Sequence, residues 1–135
     1  MASLTPFTFG TRLAGPVAEV RPRVESALKA EGFGILTEID VAATMRAKLG
    51  VDLPAYLILG ACNPPLAHRA LEVLPSVGAL LPCNIVLREQ DGETIVEAMD
   101  PVAGLGIVGD PAIVPIANEA RERLAQAIAS LAAPA

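Results

Sequence analysis

Residues 83–100 read CNIVLREQDGETIVEAMD, two β-forming runs on either side of Asp91-Gly92. Asp-Gly tolerates the positive φ angles that a two-residue hairpin turn demands, so Cys83–Glu89 and Thr94–Asp100 are expected to pair antiparallel. With Gln90 opposite Glu93, counting outward brings Asn84 opposite Met99 and Cys83 opposite Asp100. Alternation then puts Cys83, Ile85 and Leu87 on one face with Val96, Ala98 and Asp100.

Upstream of this hairpin, the run AYLILGA (residues 55–61) is continuous, apolar and of strand length, as a central strand requires. It ends in Cys62-Asn63-Pro64-Pro65, where Asn63 is expected to cap a helix with Pro64 at its first position. Leu66, Ala67, Ala70, Leu71 and Leu74 give that helix an apolar stripe. Further back, Gly34–Ile39 reads as a short strand, and Asp40 caps a helix that Gly50 stops. Val17, Val20, Val24, Ala27 and Leu28 fall at helical spacing, with Pro22 either kinking that helix or opening it. Pro6–Leu13 reads as an edge strand. Downstream, Asp110-Pro111 opens a last helix with stripe Ile113, Ile116, Ala120, Leu124, Ile128 and Leu131. Hairpin strands with separate helices give an α+β fold, an antiparallel sheet with helices packed on it.

The composition supports one domain over residues 1–135, with a core from about 7 to 131. A chain of 135 residues buries roughly two-thirds of its unfolded surface. Hydrophobic residues make up 53% and aromatics only 3%, so the core must be aliphatic. So apolar a small domain is expected to bury part of its surface against a second copy, as a homodimer. A net charge of −5 without a basic stripe argues against nucleic acid as a partner. No apolar run approaches the ~20 residues of a membrane span, and no signal peptide is read, so the membrane is not an expected partner either. Two cysteines beside ample core read as reduced thiols in a cytoplasm rather than a disulfide framework.

The segments GFGILTEID, KLGVDLPAYLILGACNPPLAHRAL, VGALLPCNIVLRE and EAMDP together resemble the domain-of-unknown-function family numbered 302. The resemblance spans about Phe7 to Leu131, and the short motifs ACNP, LLPCN and MDP make it specific. It implies a TATA-binding-protein-like α+β fold, with helices on one face of the sheet, assembled as a homodimer. It implies no established reaction.

Candidate chemistry gathers at the two Cys-Asn junctions. Cys62 lies just before a helix start, where the macrodipole favours a thiolate, although Pro64 and Pro65 contribute no N–H. Cys83 is expected beside Asp100, whose charge would oppose ionisation of the thiol. The candidate ligand-binding set is therefore Cys62, Asn63, Cys83, Asn84, Met99 and Asp100. Cys62, Cys83 and the sole histidine, His68, are the candidate metal ligands, with Met99 a further soft donor for Cu(I) or Zn. No Cys-x-x-Cys or His-x3-His spacing supports a metal, and no cofactor is indicated. Gly104–Gly109 spells G-x-G-x-x-G, but no second strand follows, as a dinucleotide site would need, so it reads as a mobile loop. No Ser-His-Asp set, paired catalytic carboxylates or phosphate loop can be assembled. The reading leans towards non-catalytic binding of a small ligand or partner at the junctions. The alternative is a protein using Cys62, with Cys83, for redox, sulfur-transfer or soft-metal handling.

Overall fold

The computed structural model describes residues 2–132 and, of Ala2, the backbone alone; residue 1 and residues 133–135 of the expected domain lie outside the described residues. Among residues 2–132 six strands form one sheet: β1 (Ala2–Thr5), β2 (Thr8–Ala14), β3 (Gly34–Asp40), β4 (Tyr56–Cys62), β5 (Cys83–Gln90) and β6 (Glu93–Met99). Their order is β1-β2-β6-β5-β4-β3, and every neighbouring pair is antiparallel. Among the described residues five α-helices complete the α+β fold: α1 (Val17–Ala30), α2 (Val41–Leu49), α3 (Pro64–Val73), α4 (Pro101–Leu105) and α5 (Val114–Ala132).

The β5–β6 turn has positive φ at both Asp91 (54°) and Gly92 (78°), and Gln90 faces Glu93 as expected. The ladder then runs back only to Ile85 opposite Ala98. Beyond that point the strands pair outward instead: Cys83 with Ala61 and Asn84 with Gly60 on β4, Met99 with Thr8 on β2. The expected meeting of Cys83 with Asp100 is therefore corrected. Asp100 leaves the sheet as the N-cap of α4, its Oδ1 accepting from the Val102 N–H at 2.9 Å.

The strand read over Pro6–Leu13 begins at Thr8 and is interior, because β1 folds back onto it through Pro6-Phe7. Its interior position shows at Gly10, where an added Cβ would fall on the Val96 carbonyl oxygen. Helix α1 begins at Val17 and runs through Pro22. Its first residue is held from a distance, since the Val17 N–H donates to Glu89 Oε1 at 2.9 Å. The glycine stretch is also not a loop: Asp100-Pro101 starts α4, a 3-10 turn follows over Gly106–Val108, and Leu105 is buried.

Burial divides into two clusters. In the larger one, Val20, Val24 and Leu28 of α1 and Leu124 and Ile128 of α5 close over Leu59, Ile85, Leu87, Val96 and Ala98 of the sheet. The smaller lies beside it, where Leu66 and Ala70 of α3 meet Val77, Leu105, Ile116 and Ala120. Helix α2 belongs to neither. It is capped as expected, with Asp40 Oδ1 accepting from Ala43 N–H and Gly50 at φ +66°, yet none of its residues is buried. Its last residue, Leu49, and the following Val51 and Leu53 are exposed, as are Leu36 and Ile39 on β3. Among the described residues no helix is long and apolar enough to cross a membrane.

Candidate functional site

A cavity of about 30 Å³ sits on the seam between the two cores. Its sheet-side wall is the paired ends of β4 and β5, Ala61-Cys62 and Pro82-Cys83, with Phe33. Opposite stand Leu66 and Ala70 of α3, Leu105 of α4, and Ile116 and Ala120 of α5. The surface is almost wholly apolar, and the polar side chains on it are the two thiols and Asn63. This volume takes about one or two water-sized occupants, and it lies an order of magnitude below an ordinary small-molecule site.

Asn63 is buried and already committed. Its Oδ1 accepts from Leu66 N–H at 3.3 Å, its carbonyl from Ala67 N–H at 2.9 Å, and its Nδ2 donates to the Glu31 carbonyl at 3.4 Å. The side chain thus ties the end of α1 to the start of α3. Gly32 makes room for it: at φ +84° a Cβ there would stand 2.9 Å from Asn63 Nδ2.

The same geometry settles what the helix terminus does for Cys62. The first two positions of α3 are prolines, and the next N–H, of Leu66, is taken by Asn63. None of the first three residues of α3 offers a free N–H to a thiolate. Burial accordingly pushes the Cys62 thiol up from its ordinary value rather than down. Cys83 is more deeply buried and is pushed up to about 11, first by burial and second by the charge of Cys62. Asp100 plays no part in that shift. Both cysteines are free thiols and protonated at neutral pH.

Of the residues singled out from the sequence, Cys62, Asn63 and Cys83 meet at this cavity. Asn84 is exposed on the far side of its strand. Met99 packs beside Gly104, and Asp100 faces Arg121 Nε at 3.0 Å. His68 projects into solvent, pairing with Glu72 one turn on at 3.3 Å, and is not a neighbour of the thiols. Among the described residues no group of three or more His, Cys, Asp or Glu is placed so that it could hold a metal ion. Phe33, Ala70 and Ala120 were missed as wall residues, since small and apolar side chains carry no chemical signature in a sequence.

The family described as "Domain of unknown function DUF302" matches residues 9–131. No curated protein matches. The fold is similar to the crystal structure of an uncharacterised conserved DUF302 protein from Bacillus stearothermophilus, with a TM-score of 0.85 and 32% identity. That similarity covers 93% of this chain and 98% of the other. The match along nearly all of the sequence and the shared fold lead to one conclusion: the chain is a member of the DUF302 family.

Proposed function

We propose that this protein is a non-catalytic, homodimeric binding domain of the cytoplasm whose occupant, a species of only a few atoms, sits in the cavity between the Cys62-Asn63 and Pro82-Cys83 junctions. The observation that carries the reading is the shared cavity itself: two junctions 21 residues apart in sequence wall one small apolar space. An apolar wall with few polar groups is how proteins hold small ligands. Two free thiols beside each other suit a reducing compartment. The dimer is supported by the exposed Ile39, Leu49, Val51 and Leu53, on and flanking α2 in sequence, a nine-residue helix with no fully buried residue. So short a helix is marginal in water without tertiary packing, and a second copy would supply it.

A nucleophilic thiol is the weaker reading, because burial pushes both thiols up and the helix N–H groups are spent. Xenon tests the cavity, since dry apolar cavities take it up. Under xenon pressure the methyl resonances of Leu66, Leu105 and Ile116 should shift, while those of Leu59 and Leu87 stay put. Ala120→Leu, which fills the space, should abolish the response. Shifts absent from the three wall methyls would sink the cavity, and a monomer mass by light scattering at micromolar concentration would sink the dimer.

A further inference from the structure

We infer that two copies of this chain pair face to face through the side of the sheet turned away from α1 and α5. The inference rests on the homodimer proposed above and names its surface. Register decides which side chains that surface carries. Leu59, Ile85 and Val96 point into the helix-covered core, so alternation turns their neighbours Ile58, Val86 and Ile95 to the other side. Ile58 lies opposite Ile39 on β3 and opposite Val86 on β5, which sets three aliphatic side chains in one row across three strands. None of Ile39, Ile58, Val86 and Ile95 belongs to either apolar cluster of the fold, and Ile39 is left 50% exposed.

Charge says what the face fits. The charged side chains that β2, β5 and β6 turn to this side are Arg12, Arg88, Glu93 and Glu97. They pair within the face: Arg88 Nε donates to Glu97 Oε1 at 2.8 Å, and Arg12 stands 3.8 Å from Glu93. The face is therefore neutral on a chain of net charge −5, and two copies meet there without the repulsion of the acidic remainder. It offers no surplus cation to phosphates or to an anionic lipid surface. Area is the second argument. Strands β2 to β6 run seven or eight residues each. At ~4.8 Å between strands and ~3.3 Å per residue they present roughly 550 Å². Two copies then bury about 1,100 Å², above the ~1,000 Å² that a specific interface needs. Stacked sheets interdigitate their facing side chains, and the row from Ile39 to Val86 supplies the apolar contact. Ile39 also lines one groove with Ala43 and Ala47 of α2, so that helix lies at the margin of the same interface.

The test is sedimentation equilibrium of the full chain from nanomolar to micromolar concentration. The wild type is expected to be a dimer. Ile58→Arg and Val86→Arg, each verified as folded by circular dichroism, should raise its dissociation constant by roughly 100-fold or more, since like charges would meet inside one interface. Ile107→Arg, at a position 75% exposed in the turn after α4, should leave it unchanged. Should the Ile58 and Val86 variants fail to fold, a soluble gadolinium chelate decides the point on the wild type. The Ile39 methyls, half-exposed in a single chain, should be shielded from it while those of Ile107 broaden. A wild-type dimer that either folded variant leaves intact, or that Ile107→Arg also dissociates, overturns this interface while the dimer stands. Ile39 methyls as broadened as those of Ile107 do the same. A wild type that is monomeric at micromolar concentration overturns both readings.

Discussion

The dipeptide Cys-Asn occurs twice in this chain, and its two copies are built in opposite ways. At Cys62-Asn63 the asparagine is buried and the cysteine half-exposed; at Cys83-Asn84 the cysteine is buried and the asparagine exposed. The difference follows from which way each strand continues. Strand β4 ends at Cys62 and turns directly into α3, so Asn63 is drawn inward to cap the helix and to hold the end of α1. Strand β5 begins at Cys83 and continues as a strand, so alternation alone sends Cys83 to the helix-covered face and Asn84 to the other. A shared dipeptide is thus no evidence of a shared role. What the two copies have in common is the cavity between them.

The contrast between the thiols should give the largest effects. Cys83 has a folded pKa of about 11 against an ordinary 9.0. Below pH 9 both the folded and the unfolded thiol are protonated, and nothing is lost. Above it the unfolded thiol ionises and the folded one resists, so stability falls as pH rises from 9 towards 11. The loss should reach the order of 3 kcal/mol, read as the difference between wild type and Cys83→Ala in urea melts across that window. At pH 8 only roughly one Cys83 in a thousand is ionised, so native-state alkylation should mark Cys62 well before it. Faster labelling at Cys83 would invert the comparison.

The asparagines sharpen it next. Asn63→Ala removes a helix cap and leaves the Glu31 carbonyl without one of its donors, and should cost about 1–3 kcal/mol. Asn84→Ala should stay within about 0.5 kcal/mol, as exposed positions usually do. Equal denaturation midpoints for the two variants would break the assignment of buried and exposed roles.

An effect smaller than that of Asn63→Ala belongs to Asp100, which lies outside the pair. Asp100→Ala loses the α4 cap and an exposed contact with Arg121, whose guanidinium stacks 5.5 Å from the Phe9 ring centre. About 1 kcal/mol is expected, with little added by the ion pair. Alkylation of Cys83 should keep the same pH dependence in this variant. A shift of that profile would restore Asp100 as the neighbour of the thiol.

Local signals in the sequence determined a good deal. Asp91-Gly92 fixed the hairpin and its register, Asp40 and Asn63 marked caps, and the apolar run at residues 55–61 marked a central strand. Each of these is written within a few residues, in turn chemistry or periodicity. What depended on distant partners was decided by the tertiary structure alone. The hairpin register extrapolated to Cys83 opposite Asp100 because nothing local says that β4 and β2 claim the strand ends first. The first strand read as an edge because β1 is covered by no pattern of its own, only by pairing. The thiol of Cys62 was expected to be eased towards ionisation by a helix end, but the prolines of α3 and the capping Asn63 leave that end without a free N–H, and burial wins. The cavity, finally, is a void between two cores, and a void is set by how side chains far apart in sequence fail to fill space, which no stretch of residues records.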